Sequence, residues 1–220
     1  MALSYNVLTQ GNNSANQSNY ATASITPTKG KLYIVGVLSA TSPQVVPTIS
    51  GAGITWQLIA SDWQSSPYGI SLFYGFAGDN AVAGALTIDF AGNSQANCFW
   101  GVVEITGAAY PAIVQSNHGN TNGVNAANLN ISLAANANAN NIILGLFCTG
   151  SSSGVTLVAN SPFTQIVSQG LTENSYMCMQ IYIGNSTSCQ SNRSTSSNGN
   201  INGIAIEINS VRHDQFLEMF

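Results

Sequence analysis

Glu104 and Glu207 are the two residues in this chain whose type and context come nearest to chemistry. A glycoside hydrolase needs two carboxyl groups flanking a sugar bond, one to donate a proton and one to attack or to activate water. Each glutamate, however, stands in the same setting, Glu104 in WGVVEITG (Trp100 to Gly107) and Glu207 in NGIAIEINS (Asn202 to Ser210). Equivalent places in two copies of one pattern point to a shared structural role, such as a hydrogen bond from strand to loop. The two histidines, His118 in an Asn/Gly-rich stretch and His213 near the C-terminus, read as isolated, solvated side chains. Asp62 and Asp79 could join a calcium site, but the regular Asp spacing of a calcium loop is missing. Cys98, Cys148, Cys178 and Cys189 show no CxxC or other metal spacing. Cys98 and Cys148 lie in apolar runs and read as buried free thiols, and a Cys178 to Cys189 bridge is the lesser alternative. There is no GxSxG, HExxH or phosphate-loop pattern. We therefore expect no catalytic residues, no metal and no cofactor, and read the chain as non-enzymatic. Trp63, Tyr68 and Tyr110 remain as rings in or beside loops that could stack on a sugar or touch a partner. Trp56 and Trp100 read as core residues in strands.

The pattern around the glutamates belongs to a longer repetition. TASITPTKGKLYIVGVLSA (Thr22 to Ala40) matches LNISLAANANANNIILGLFCTG (Leu129 to Gly150), and YNVLTQGNN (Tyr5 to Asn13) matches AIVQSNHGN (Ala112 to Asn120). GITWQLIAS (Gly53 to Ser61) matches GVTLVANS (Gly154 to Ser161). A spacing of about one hundred residues is the size of a β-sandwich rather than of a solenoid repeat. The division expected is a first sandwich over 1–108, a second over 109–210 and a tail over 211–220. The junction GAAYPAI (Gly107 to Ile113) is so short that the sandwiches must abut or share one core.

Short β-branched and aromatic runs alternate with Gly, Asn, Ser and Pro clusters throughout, which predicts an all-β chain. In the first unit we expect strands near 4–10, 20–26, 31–39, 54–61, 69–76, 85–90 and 97–106, with an eighth at 45–49. In the second they fall near 112–116, 128–133, 141–148, 154–159, 175–183, 187–191 and 200–209. Ile70, Leu72, Tyr74 and Phe76 share one face, as do Leu86, Ile88 and Phe90. Asp79-Asn80, Gly92-Asn93, Asn122-Gly123 and Asn198-Gly199 are expected hairpin tips.

With 45% apolar residues the chain has material for a core, yet only 5% of its residues are charged, against about 25% in ordinary globular proteins. A surface built from Asn, Ser, Thr, Gln and Gly gives no electrostatic handle for nucleic acid. No run approaches a membrane span, and the first residues carry no signal-peptide pattern. The tail VRHDQFLEMF differs from everything before it, and Phe216, Leu217 and Phe220 could dock into a neighbouring subunit.

TPTKGKLYIVGVLSA, PTISGAGITWQLIAS, ISLFYGFAG, GALTIDF and WGVVEITG together resemble a widespread phage and bacterial group of virion-associated β-sandwich proteins. The second half departs in lacking a counterpart of Trp56. The resemblance implies an internally duplicated, jelly-roll-like antiparallel sandwich of the capsid decoration or cement type. It would be made in the host cytoplasm, sit on the capsid surface, and bind the major capsid protein and itself, for example as a trimer. The alternative is a tail fibre or spike domain that binds host glycans; a polysaccharide-degrading enzyme ranks third.

Overall fold

A computed structural model describes residues 3–40, 44–63, 68–122, 124, 126–136, 138–150, 155–171, 175–194 and 199–210. Among these residues it is all-β, with sixteen strands that repeat one arrangement twice. The first half comprises β1 (Ser4–Asn13), β2 (Asn19–Ala21), β3 (Leu32–Ala40), β4 (Thr48–Gly51), β5 (Gln57–Trp63), β6 (Tyr68–Phe76), β7 (Leu86–Asp89) and β8 (Asn97–Thr106). The second comprises β9 (Ala108–Asn120), β10 (Asn128–Ser132), β11 (Ile142–Gly150), β12 (Leu157–Ala159), β13 (Thr164–Leu171), β14 (Ser175–Ile183), β15 (Ser188–Arg193) and β16 (Asn200–Ser210). In the first half a sheet ordered β1-β8-β3-β6-β5 faces a smaller one ordered β2-β7-β4. The second half repeats this with β9-β16-β11-β14-β13 and β10-β15-β12. Gly107, at a φ of 84° that suits a residue without Cβ, is all that separates β8 from β9.

The two larger sheets stack face to face, so the halves do share one core. Strand alternation explains how. In β3, Leu32, Ile34 and Leu38 point into the shared core, while Tyr33, Val35 and Val37 point the other way, onto the small sheet of their own half. β11 repeats this, with Ile142, Leu144 and Leu146 in the shared core and Ile143 and Phe147 in the outer one. Both strands are buried on both faces and therefore read as continuous apolar runs. The expected face of Ile70 and Leu72 is likewise the shared core, with Tyr74 and Phe76 packed at its margin, and Leu86 and Ile88 fill the core under β7.

Gly36 and Gly101 lie opposite each other on β3 and β8, and together they open a hollow in the first large sheet. Met179 of the second half fills it: a Cβ on Gly101 would meet Met179 Sδ and Val167 Cγ2 at 2.8 Å each, and one on Gly36 would meet Met179 Sδ at 2.9 Å. Gly101→Val should therefore destabilise the protein by about 1–3 kcal/mol through overpacking. Adding Met179→Ala should recover part of that loss, because it empties the same hollow. Urea midpoints of the two single variants and the double check this, and strict additivity would contradict the lodging of Met179 between the halves.

Several expectations need correction. The eighth strand of the first half lies at Thr48–Gly51, and the second half contains an edge strand, Thr164–Leu171, where none was expected. Its counterpart in the first half is β5, so Gly154 to Ser161 does not correspond to Gly53 to Ser61; β12 instead matches β4. Asp79-Asn80 and Gly92-Asn93 do lie at turns, but each follows a strand of one sheet and precedes a strand of the facing sheet, so neither tips a hairpin. Among the paired strands only β5–β6 and β13–β14 are sequence neighbours. Asn122 falls at a turn, while Gly123 and Asn198 lie outside the described residues. Trp100 is buried in β8, whereas Trp56 precedes β5 and is only half-buried against the core of the first half. All four cysteines are free and buried.

Candidate functional site

Glu104 sits on β8 and faces the small sheet of its own half. Its Oε1 accepts from Lys31 Nζ at 2.6 Å and its Oε2 from the Tyr33 hydroxyl at 2.5 Å. Burial and the Glu104 carboxylate push the Tyr33 phenol up to about 12. Glu207, fully buried on β16, accepts from Asn141 Nδ2 and from Gln115 Nε2, both at 2.6 Å. Lys31 and Asn141 are equivalent, each standing one residue before β3 or β11. Each glutamate thus ties a late strand to the segment entering the central strand, the structural role expected of it. The two carboxylates also point in opposite directions, away from the shared core. Stacked sheets stand ~10 Å apart, and a hydrolase pair must converge within ~5–10 Å, so these two cannot flank one bond.

A different set of polar residues does converge, along the edge where β5 of the first half meets β9 of the second. Asp62 is buried on β5. Its Oδ2 lies 2.7 Å from His118 Nδ1 and its Oδ1 accepts from Asn120 Nδ2 at 2.8 Å. A carboxylate only accepts, so Nδ1 carries the proton. Asn120 Nδ2 also reaches the Trp63 carbonyl at 3.1 Å. Beneath them the fully buried Asn202 sends its Nδ2 to the backbone carbonyls of Asp62 and Tyr68, at 3.4 and 3.3 Å. His118 is therefore neither in a loop nor alone, as its surroundings in the sequence suggested. It belongs to β9, and half of its side chain is open to solvent.

The opposite edge, where β1 meets β13, carries the matching contacts in neutral form. Gln10 faces Gly101 on β8, as His118 faces the equivalent Ile204 on β16. Asp62 opposes Ile70 and Gln169 opposes Met177, which are also equivalent. Here Asn12 Nδ2 donates to Gln169 Oε1 at 3.0 Å and the Ser168 N–H donates to Gln10 Oε1 at 3.2 Å. One seam between the halves is thus amide to amide, and the other is imidazole and amide to carboxylate. Asp62→Ala should cost about 1–3 kcal/mol, because it strands the Asn120 and His118 donors. Replacing Asp62 and His118 together by Gln copies the neutral seam and should cost less than Asp62→Ala alone. A thermodynamic cycle over these variants measures the coupling, and a double glutamine variant as unstable as Asp62→Ala would contradict the equivalence of the seams.

The aromatic candidates do not form one platform. Trp63 lies at the Asp62 end of β5, half-buried with its ring over Gly69. Tyr68 begins β6 beside it, but its ring covers Gly150 of the second half and packs on the shared core. Tyr110 is 89% exposed near the start of β9, eight residues before His118 and so about 25 Å along the strand. Phe216, Leu217, Phe220 and His213 lie outside the described residues. Asp79 pairs with Lys29 beyond the far end of β6, so Asp62 and Asp79 do not approach each other. Among the described residues no three His, Cys, Asp or Glu side chains gather as a metal site would require.

The Asp62, His118 and Asn120 cluster could in principle orient an imidazole for proton transfer, since its Nδ1 is held by a carboxylate. Among the described residues nothing bonds the other ring nitrogen, and the nearby Cys148 thiol is buried and pushed above its ordinary range by desolvation. The cluster as it stands joins the two halves. Comparison with protein-family models, with curated proteins and with solved structures finds no match to this chain.

Proposed function

We propose that this protein is a structural component of a particle surface, a bacteriophage capsid decoration or cement protein that works by adhesion. The observation that carries the reading is where its reactive groups are used. Glu104, Glu207, Asp62 and His118 all hold strands or halves together. The result is a layered body with sparse charge, which suits packing against neighbouring subunits. The strand order supports the finer reading of the fold. Within each half the eight strands divide as β1-β8-β3-β6 against β2-β7-β4, the winding of a jelly roll, with β5 moved to the edge of the larger sheet. The partners in this reading are the major capsid protein and further copies of the chain, joined over interfaces of more than about 1,000 Å². Glycan recognition by Trp63, Tyr68 and Tyr110 is less well supported, because those rings are dispersed.

Incubation of the purified protein with phage heads lacking it, followed by sedimentation and electron microscopy, tests the proposal. Saturable binding at regular positions on the shell is expected, with no preference on a glycan array. Failure to bind heads, or selective binding of a host sugar, would overturn it.

A further inference from the structure

We propose that Arg193 is the centre of a binding site for an oxyanion presenting two oxygens side by side, a carboxylate or a phosphate. The residue closes β15 and is only 7% exposed, and its Nε, Nη1 and Nη2 are all buried without a hydrogen-bond partner. A guanidinium offers five donors in a planar fork that matches such an anion. Leaving a buried cation without an acceptor is among the most destabilising things a fold can do.

The first half supplies an internal control. Phe90 N donates to the carbonyl of Ser18, just before β2, and Arg193 N donates to that of Ala127, just before β10. Phe90 and Arg193 each precede the first residue of the final strand, Asn97 or Asn200, by seven positions. Phe90 is fully buried and packs edge-on against Tyr20, so this position accepts an apolar ring. The second half places a cation there, with no counter-charge bonded to it among the described residues.

Its neighbour Gly199 leaves room for the charge. A Cβ at that position would lie 2.6 Å from both Nη1 and Nη2, so only a bare Cα lets the guanidinium rest against this stretch of backbone. The acids of the described residues are engaged elsewhere: Asp62 by His118, Asp79 by Lys29, Asp89 by the Ala91 N–H, Glu104 by Lys31 and Glu207 by Asn141. Arg193 stands at the end of the small sheet, opposite Leu157 and against Gly199 just before β16, so an anion binds it only with local opening of that end. This inference stands apart from the particle-surface reading, because it concerns the anion and not its bearer.

The test uses the full-length protein, Arg193→Phe and Arg193→Gln, melted in rising acetate or inorganic phosphate against chloride at matched ionic strength. The melting temperature of the parent protein should rise saturably by several degrees with acetate, with phosphate or with both. Arg193→Phe should melt higher than the parent in chloride and should not respond to either anion. If Arg193→Phe does not fold, the missing response is read from Arg193→Gln. A response to acetate alone marks an acidic side chain or uronate as the natural ligand, and a response to phosphate alone marks a phosphoryl group. An equal response in parent and variants, which a general salt effect would give, or no response in the parent beyond that to chloride, overturns the proposal.

Discussion

Raising the pH above 9 should progressively destabilise this protein. Its four cysteines are all free thiols in apolar surroundings. Desolvation pushes Cys178 and Cys189 from the ordinary 9.0 up to about 12, and it pushes Cys98 and Cys148 up as well. Below pH 9 folded and unfolded chains both keep these protons, so the thiols make no difference to stability. Above it the unfolded chain releases them and the folded chain does not, which favours unfolding as the pH climbs toward the folded values. Each thiol then withdraws up to ~1.4 kcal/mol per pH unit. Acting together, the four thiols draw on a reserve that is only about 5–15 kcal/mol in a typical domain. The Tyr33 phenol, raised from 10.0 to about 12, adds to the loss above pH 10. Urea unfolding followed by far-UV circular dichroism from pH 7 to 11.5 under reducing conditions measures the fall. Replacing Cys178 and Cys189 by alanine should roughly halve the pH slope of stability, whatever those changes do to stability at neutral pH. Stability that does not fall as the pH climbs above 9, or an unchanged slope in the double variant, would falsify this account.

What could be read from the sequence follows from how each residue is buried. β3 and β11 are covered on both faces and announce themselves as unbroken apolar runs. The equivalence of Glu104 and Glu207 was legible because both sit in such strands. β13 carries no such signal because it lies at a sheet edge: in TQIVSQGL only Val167 is fully buried, and the polar residues around it break the strand pattern. For the same reason the counterpart of β5 in the second half, β13, does not stand out beside the more apolar GVTLVANS. His118 and Asp62 lie 56 residues apart, on edge strands of two different sheets. Their meeting depends on how the two large sheets stack, and no periodicity within either strand encodes that. Arg193 carries a weak signal that was available: set beside Phe90 by the repeat, it is the one position where a ring is exchanged for a cation.

Glu207→Ala should be the most damaging single substitution at the polar clasps, costing about 3–5 kcal/mol, and more than Glu104→Ala. The reason lies in what each carboxylate leaves behind. Loss of Glu104 frees Lys31, which keeps 28% of its side chain exposed and can rehydrate, and leaves the buried Tyr33 hydroxyl still accepting from the Thr28 N–H, with a proton that can rotate. Asn141 is fully buried and is already committed: its Oδ1 accepts from the N–H and the hydroxyl of Ser210, and its carbonyl accepts from Gly184 N. It cannot turn to find a new acceptor without giving up those bonds. Gln115 is similarly fixed by its paired hydrogen bonds to the backbone of Ala134. Removing Glu207 therefore strands two donors and loosens the point where β9, β16 and the segment entering β11 are joined. Glu207→Gln keeps the shape but sets an amide donor against one of the two donors, so its cost should be intermediate. Urea unfolding should show the midpoint falling in the order parent, Glu104→Ala, Glu207→Ala with an unchanged m-value. A reversal of the two alanine variants would mean that exposure of the stranded partner does not govern the cost. Should a depolymerase activity be found, loss of activity in Glu104→Gln would count for catalysis only if the variant remained folded, because this carboxylate is part of the frame.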